Sequence, residues 1–279
     1  MQVTQLNTSI GATVSGVDIA QNLSESLVTE LRSLWLEHQV IVLREQHLSP
    51  AQLLALAALL GEADTYPFLT GLPGYPQVTE VLKKEDETVN FGGVWHTDTI
   101  YQQCPPMATL VYALEIPPCG GDTVFASQYA ACSSLSDGLK NTLRGMTAIS
   151  RAGNKAVAAT RAARIEEQGT GVVAEALSAE HPVIRTHPET GKHSLYVSPA
   201  HTTHFAGWTE DESADLLQCL FTVQIRHEWC CRHQWRVGDL ALWDNRCTLH
   251  YPVNDYHGHR RLLHRVTLKG DQPVCCDVA

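Results

Sequence analysis

The sequence predicts a mainly β fold with flanking helices, on three observations. Helical periodicity of apolar residues is concentrated before residue 65 and afterwards returns only in isolated segments. From Thr109 onward, short apolar runs of strand length dominate. No repeat, low-complexity tract or linker divides residues 1–279, and a 44% hydrophobic content is enough to bury the core of one elaborated domain.

The elements follow in order. Leu27, Leu31, Leu34 and Trp35 form a stripe with a period of about 3.6, so a helix precedes the β-rich run Val40 to Leu43. A second helix is well punctuated: Ser49 can cap it, Pro50 suits its first turn, Leu53, Leu56, Leu59 and Leu60 are its apolar contacts, and Gly61 can end it. Residues 1–65 therefore read as helix, strand, helix, a helical buttress. Strands are expected at Thr109 to Leu114, Val183 to Thr186, Ser194 to Val197, Asp239 to Trp243 and Leu262 to Leu268. The segment His187 to Lys192 makes a hairpin turn between the second and third of these. Thr209 with Glu212 forms a capping box ahead of Leu216, Leu217, Leu220 and Phe221, which marks a further helix. The Ala-rich stretch over 150–180 has weak periodicity and several charges, and is expected to be a long, partly helical insertion lying over a site as a lid.

Bulk properties narrow the function classes. The formal charge is −10, and Lys and Arg form no dense run of the kind that grips phosphates, so nucleic acid is not an expected partner. No apolar run reaches the roughly 20 residues needed to span a bilayer, and the N-terminus has no basic start followed by an apolar stretch, so a cytoplasmic protein without a membrane partner is expected. Nine cysteines without CxxC spacing fit a reducing compartment. The vicinal pairs Cys230 with Cys231 and Cys275 with Cys276 are expected to pack as small hydrophobes, since adjacent α-carbons only about 3.8 Å apart fall short of ordinary disulfide geometry.

The chemistry concentrates in a few residues. In ValTrpHisThrAspThr, His96 and Asp98 lie two apart, so on an extended backbone both side chains leave one face and can chelate a metal. Among fourteen histidines, such a pair also has the plainer reading of a hydrogen-bonded couple at a strand end. Downstream, His250 follows an apolar strand, and Arg261 and Arg265 follow it within one further strand. Two histidines and one carboxylate leave three of six octahedral positions open, which suits a bidentate 2-oxo acid plus O₂. Zinc competes as the metal, but a hydrolytic zinc site does not explain the arginines. Arg261 and Arg265 share a strand face with Leu263 and Thr267, about 13 Å apart, so one strand can hold two anions through guanidinium forks. Solvated arginines on an exposed strand are the alternative.

These residues, with IleGlyAlaThrValSerGlyValAsp near the start, TrpHisThrAsp followed by ProProMetAla, GlyGlyAspThrValPheAlaSer, TrpAspAsnArg and ArgArgLeuLeuHisArg, resemble the taurine and chlorophenoxyacetate type (TauD/TfdA) of Fe(II)- and 2-oxoglutarate-dependent dioxygenase almost end to end. The resemblance implies a double-stranded β-helix, a cupin-like jelly roll with the metal at its open end and helices outside. It implies His96, Asp98 and His250 as the Fe(II) ligands and catalytic centre, and Arg261 with Thr123 as the partners of the distal carboxylate of 2-oxoglutarate. It implies O₂ as co-substrate, with release of succinate and CO₂. Arg265 corresponds to the arginine that holds the sulfonate in the taurine enzyme, which implies a small anionic substrate, a carboxylate, sulfonate or phosphonate.

The taurine enzyme has His where this chain has Tyr66, Asn where it has Gly92, and Phe where it has His201, so these three are expected to line a substrate pocket built for something other than taurine. Ordinary packing is their alternative. Trp243 and Asn245, close to His250, are expected to orient a ligand, with core packing and a turn hydrogen bond as the alternative. Asp98 favours oxygenation over halogenation, because related halogenases lack this carboxylate. His264 faces away from both arginines on an ideal strand and is left out of the site. The resemblance also suggests a homo-oligomer. Competing readings keep the cofactors but change the outcome to desaturation or cyclisation, or make the chain a non-catalytic 2-oxoglutarate or metal-binding protein.

Overall fold

The computed structural model describes residues 1–21, 23–153 and 155–275. Two β-sheets face one another and helices cover one outer surface, the jelly-roll arrangement. The larger sheet runs Gln2–Gln5, Ala12–Ser15, Val40–Leu43, Leu240–Asp244, Ala108–Glu115, Arg261–Leu268 and Ala63–Asp64, with Thr79–Lys83 also paired to Arg261–Leu268. The facing sheet sets Thr123–Ser127 between Cys230–His233 and Thr248–Pro252, and a backbone bridge from His250 to His96 extends it.

Alternation along the larger sheet explains both of its faces. Val40, Val42, Val111, Ala113, Ala241, Trp243 and Leu263 turn inward and pack with Phe125, Cys231 and Trp235 of the facing layer. Their sequence neighbours Ile41, Leu43, Leu110, Tyr112, Leu240, Leu242, Val266 and Leu268 turn outward, against Leu31, Trp35, Leu53, Leu56 and Leu60 of two helices. Those helices, Glu25–His38 and Pro50–Leu60, thus act as the expected buttress. Ser49 caps the second and forms a full capping box with Gln52.

Residues 1–65 are not purely helix, strand, helix, however. Gln2–Gln5 and Ala12–Ser15 add two strands ahead of the first helix. Gln2–Gln5 is an edge strand exposed along its whole length, so it carries no inside-outside alternation to read, and Ala12–Ser15 alternates over four residues only. The hairpin expected at His187 to Lys192 joins Ile184–Thr186 to His193–Leu195. Thr209 and Glu212 form a capping box for helix Glu210–Gln224. The Ala-rich stretch carries helix Lys155–Gln168 and then strand Ser178–Pro182, which pairs with Thr147–Arg151. Cys231 is buried and Cys230 half-buried, both free, while Cys276 lies outside the described residues. No helix among the described residues is long and apolar enough to cross a membrane.

Candidate active site

The two sheets open at one end, where the backbone exchange His96 N–H to His250 carbonyl at 3.0 Å and His250 N–H to His96 carbonyl at 2.8 Å locks two remote segments side by side. This exchange brings His96, Asp98 and His250 together, each offering a ligand atom within 4.8 Å of the others. His96 Nδ1 lies 2.7 Å from the Val94 carbonyl, which can only accept, so Nδ1 carries the proton and Nε2 presents its lone pair. That Nε2 is 3.8 Å from Asp98 Oδ1.

Electrostatics suit a cation here. Burial lowers the pKa of His96 and drives that of His250 well down, so both imidazoles are neutral, the form that ligates metal. Burial alone would raise the Asp98 carboxyl, but His250, Arg265, His96 and the Thr109 hydroxyl outweigh it and hold it at about 2. Two neutral imidazole nitrogens and one carboxylate on a common point fit a divalent metal with imidazole and oxygen preference. A second cluster, His187, Asp244 and Cys247, has its lone pairs engaged otherwise. Asp244 takes two hydrogen bonds from the Arg246 guanidinium at 2.8 and 2.7 Å, one from the Arg246 backbone N–H at 2.9 Å and one from His187 at 3.0 Å, and His187 Nδ1 accepts two backbone N–H groups.

The triad stands where two cavities meet. One is lined by Thr123, Trp235 and Arg261 together with His96, Asp98, His250 and Arg265. The second adds Tyr66, Gly92, Tyr101 and His201 while sharing His96, Asp98 and Arg265. Of the expected residues, Thr123 and Arg261 line the first cavity, Tyr66, Gly92 and His201 the second, and Arg265 both.

Odd-numbered inward parity puts Arg261, Leu263 and Arg265 on the cavity wall, while His264 points elsewhere, opposite Glu80 in the strand register. Arg261 is buried, stands 5.6 Å from the Trp235 ring, and its Nε donates to no partner among the described residues. Trp235 Nε1 in turn donates to Thr123 Oγ1 at 2.9 Å. Arg265 lies over the Tyr66 ring at 4.3 Å, with Nη1 3.7 Å from Asp98 Oδ1 and Nη2 likewise without a partner among the described residues. Buried guanidinium hydrogens with no acceptor are costly, so both arginines are ready for anions. Gly92 has φ 74°, and a Cβ there would stand 3.0 Å from His96 Cε1, so only glycine leaves the His96 imidazole undisturbed.

Trp243 and Asn245 form a relay behind Asp98. Trp243 Nε1 donates to Asn245 Oδ1 at 2.9 Å, Asn245 Nδ2 donates to Thr109 Oγ1 at 2.8 Å, and Thr109 donates to Asp98 Oδ2 at 2.6 Å. Thr109 was not singled out in the sequence; its signal is a buried hydroxyl among the inward residues Val111 and Ala113 of a mostly apolar strand. Trp235, Phe91, Tyr101 and Thr160 were also missed, because nothing in their local sequence marks them as cavity residues.

The family model described as taurine catabolism dioxygenase TauD, TfdA family matches residues 2–267. The chain belongs to the TauD/TfdA family. An alkylsulfatase of Acinetobacter baylyi is 31% identical over 97% of this chain and 86% of its own length. The alpha-ketoglutarate-dependent 2,4-dichlorophenoxyacetate dioxygenase of Cupriavidus pinatubonensis is 30% identical over 96% of this chain and 98% of its own. A crystal structure of a taurine dioxygenase from Burkholderia xenovorans superposes with a TM-score of 0.84 at 33% identity, covering 100% of this chain and 92% of that one. This TauD/TfdA chain is thus an oxidoreductase of dioxygenase type, built on the jelly roll its sequence led one to expect.

Proposed function

We propose that the chain is an Fe(II)- and 2-oxoglutarate-dependent dioxygenase that hydroxylates a C–H bond close to the anionic group of a small organic substrate. The balance is substrate, 2-oxoglutarate and O₂ giving hydroxylated product, succinate and CO₂. The observation that carries the proposal is that His96, Asp98 and His250 share a cavity with two buried arginines of a single strand, Arg261 and Arg265, of which only Arg265 also reaches the second cavity.

His96 Nε2, Asp98 Oδ1 and His250 would hold the iron, leaving half its coordination sphere for the 2-oxo acid and O₂. Iron with 2-oxoglutarate supplies the oxidising power when bound. The protein does the rest. Arg261 and Thr123 take the distal carboxylate of 2-oxoglutarate and fix its length against the metal. Arg265, steadied on the Tyr66 ring, takes the substrate anion. Its Nη1 stands 3.7 Å from Asp98 Oδ1, so an anion held there brings its first carbons to the metal, not its remote end. Tyr66, Phe91 and Tyr101 give that cavity an aromatic wall, and among its described lining residues Asp98 is the only carboxylate, so no further carboxylate is there to pair with a substrate ammonium. A monoanion with an apolar body fits better than a zwitterion, in line with the sulfate-ester and aryloxyalkanoate activities named for the relatives. Val157 and Thr160 of the helix within the 150–180 insertion line the same cavity, which supports its reading as a lid.

The test is succinate formation with Fe(II), ascorbate and 2-oxoglutarate across alkyl sulfates, aryloxyalkanoates, sulfonates, phosphonates and simple carboxylates. At least one anionic class should stimulate succinate release well above background. Stimulation by none would refute the proposal.

A further inference from the structure

Lys83 is 2% exposed, yet its ammonium nitrogen has no hydrogen-bond partner among the described residues. It ends strand Thr79–Lys83 on the same inward face as Val81, which lines the cavity beside the triad. In the antiparallel register its partner is Arg261. Side chains directly opposite in such a pair start about 5 Å apart, and like charges there repel. The Lys83 nitrogen sits 4.4 Å over the ring of Tyr256, and the Arg261 guanidinium lies 5.9 Å from the same ring. Two buried cations thus flank one aromatic ring at one end of the cavity.

The carboxylates of this neighbourhood are committed to other partners. Asp122 holds Arg232 at 2.5 Å. Asp255 accepts the Gly121 N–H at 2.8 Å and lies 3.6 Å from Arg232. Glu87 pairs with Arg164 and accepts the Lys84 N–H at 2.5 Å. Neither Lys83 nor Arg261 has an ion-pair partner of its own among the described residues. Tyr256 offers a ring face, which eases burial of a cation but does not neutralise two. Such a pair becomes favourable when an anion enters between the sheets, and the anion should then be attracted by both charges, not by Arg261 alone.

We propose that Lys83 is a specificity-determining residue of the co-substrate site, whose charge, acting with Arg261 across Tyr256, selects a 2-oxo acid bearing a second, distal carboxylate. This rests on the reading of Arg261 given above. Lys83 does not line the cavity, so it acts by field and by holding the Tyr256 ring against Arg261, not by a direct bond to the ligand.

The experiment is anaerobic calorimetric titration of the Fe(II)-loaded protein with 2-oxoglutarate and, separately, with 2-oxopentanoate, which has the same chain length but no distal carboxylate. Lys83→Met should weaken 2-oxoglutarate on the order of tenfold and leave 2-oxopentanoate within about twofold, as expected for loss of one charge some ångströms from a carboxylate. Lys83→Arg should retain the wild-type preference. Lys83→Gln, closer in polarity, replaces the Met variant if that one does not fold, with the same expectation. Equal weakening of both acids, or no change in either, overturns the proposal. Failure of the wild-type protein to bind 2-oxoglutarate at all would instead overturn the co-substrate reading beneath it.

Discussion

The hydroxyl of Thr109 donates to Asp98 Oδ2 at 2.6 Å and so fixes which carboxylate oxygen is left for a metal. The other oxygen, Oδ1, is the one near His96 Nε2 and Arg265. Thr109 itself is aimed by Asn245 and Trp243, so a tryptophan of the inner core, an asparagine at a strand end and a threonine of a neighbouring strand set the orientation of the Asp98 carboxylate.

Thr109→Val should therefore loosen the metal without unfolding the chain. It removes a donor from Asp98 and strands an Asn245 amide hydrogen in a buried site, at a cost of about 1–3 kcal/mol in stability. Loss of a partner behind a metal ligand typically lowers metal affinity by about 10- to 100-fold. Fe(II) titration and urea unfolding of the variant, with Thr109→Ser as the conservative control, measure both effects. Unchanged iron affinity would remove the relay from the metal site.

Arg265→Ala should raise the KM for the anionic substrate roughly 10- to 100-fold, the worth of one charge-assisted hydrogen-bond pair, and change that for 2-oxoglutarate far less. Steady-state kinetics varying each ligand at saturating levels of the other give the split. Equal effects on both would mean that Arg265 does not divide the labour with Arg261.

Gly92→Ala should impair iron binding although it adds one methyl group. The new Cβ would stand 3.0 Å from His96 Cε1 at a backbone φ of 74°, so either the imidazole moves or the loop does. At least a tenfold loss of Fe(II) affinity is expected by the same reasoning as for other changes that disturb ligand orientation. Normal affinity would show that the loop yields at no cost.

Stability should fall as pH drops below neutrality. His181 is buried and its lowered pKa reflects desolvation first, only partly offset by donation of its Nε2 hydrogen toward the Ile100 and Gln102 carbonyls at 2.8 and 3.0 Å. His233 is lowered in the same sense by burial, against the opposing pull of Asp239. Between the depressed folded value and the ordinary value of about 6.5, the unfolded chain binds protons that the folded chain does not, so stability is lost on acidification at about 1.4 kcal/mol per pH unit for each ring. Below the folded value the loss levels off. Denaturant midpoints measured down from about pH 8 should show this slope, with His181→Gln, which keeps a donor to the carbonyls, showing less of it. A midpoint that rises on acidification contradicts the assignment.

Much of this was legible in the sequence, and the reasons differ by element. Helices Glu25–His38, Pro50–Leu60 and Glu210–Gln224 announce themselves through apolar stripes and capping residues, because those signals are local. Strand Arg261–Leu268 is readable to the level of which side chains face inward, since its parity is set by period two alone. Strand Thr123–Ser127, buried between two partners, was seen only through its GlyGlyAspThr motif and not as a strand. The convergence of His96, Asp98 and His250 was legible through motif order. Thr109 and Lys83 were not, because their significance lies in neighbours that only the fold brings close: the Asp98 carboxylate for Thr109, and for Lys83 its cross-strand partner Arg261, whose register no local pattern specifies.

Iron stoichiometry by anaerobic equilibrium dialysis, on the wild-type chain and on His96→Ala, Asp98→Ala and His250→Ala, decides whether these three side chains form one metal centre. One Fe(II) per wild-type chain, lost or greatly weakened in every variant while His187→Ala retains it, is the expected result. Iron that stays bound in all three variants, or that departs only with His187, would mean that the centre lies elsewhere.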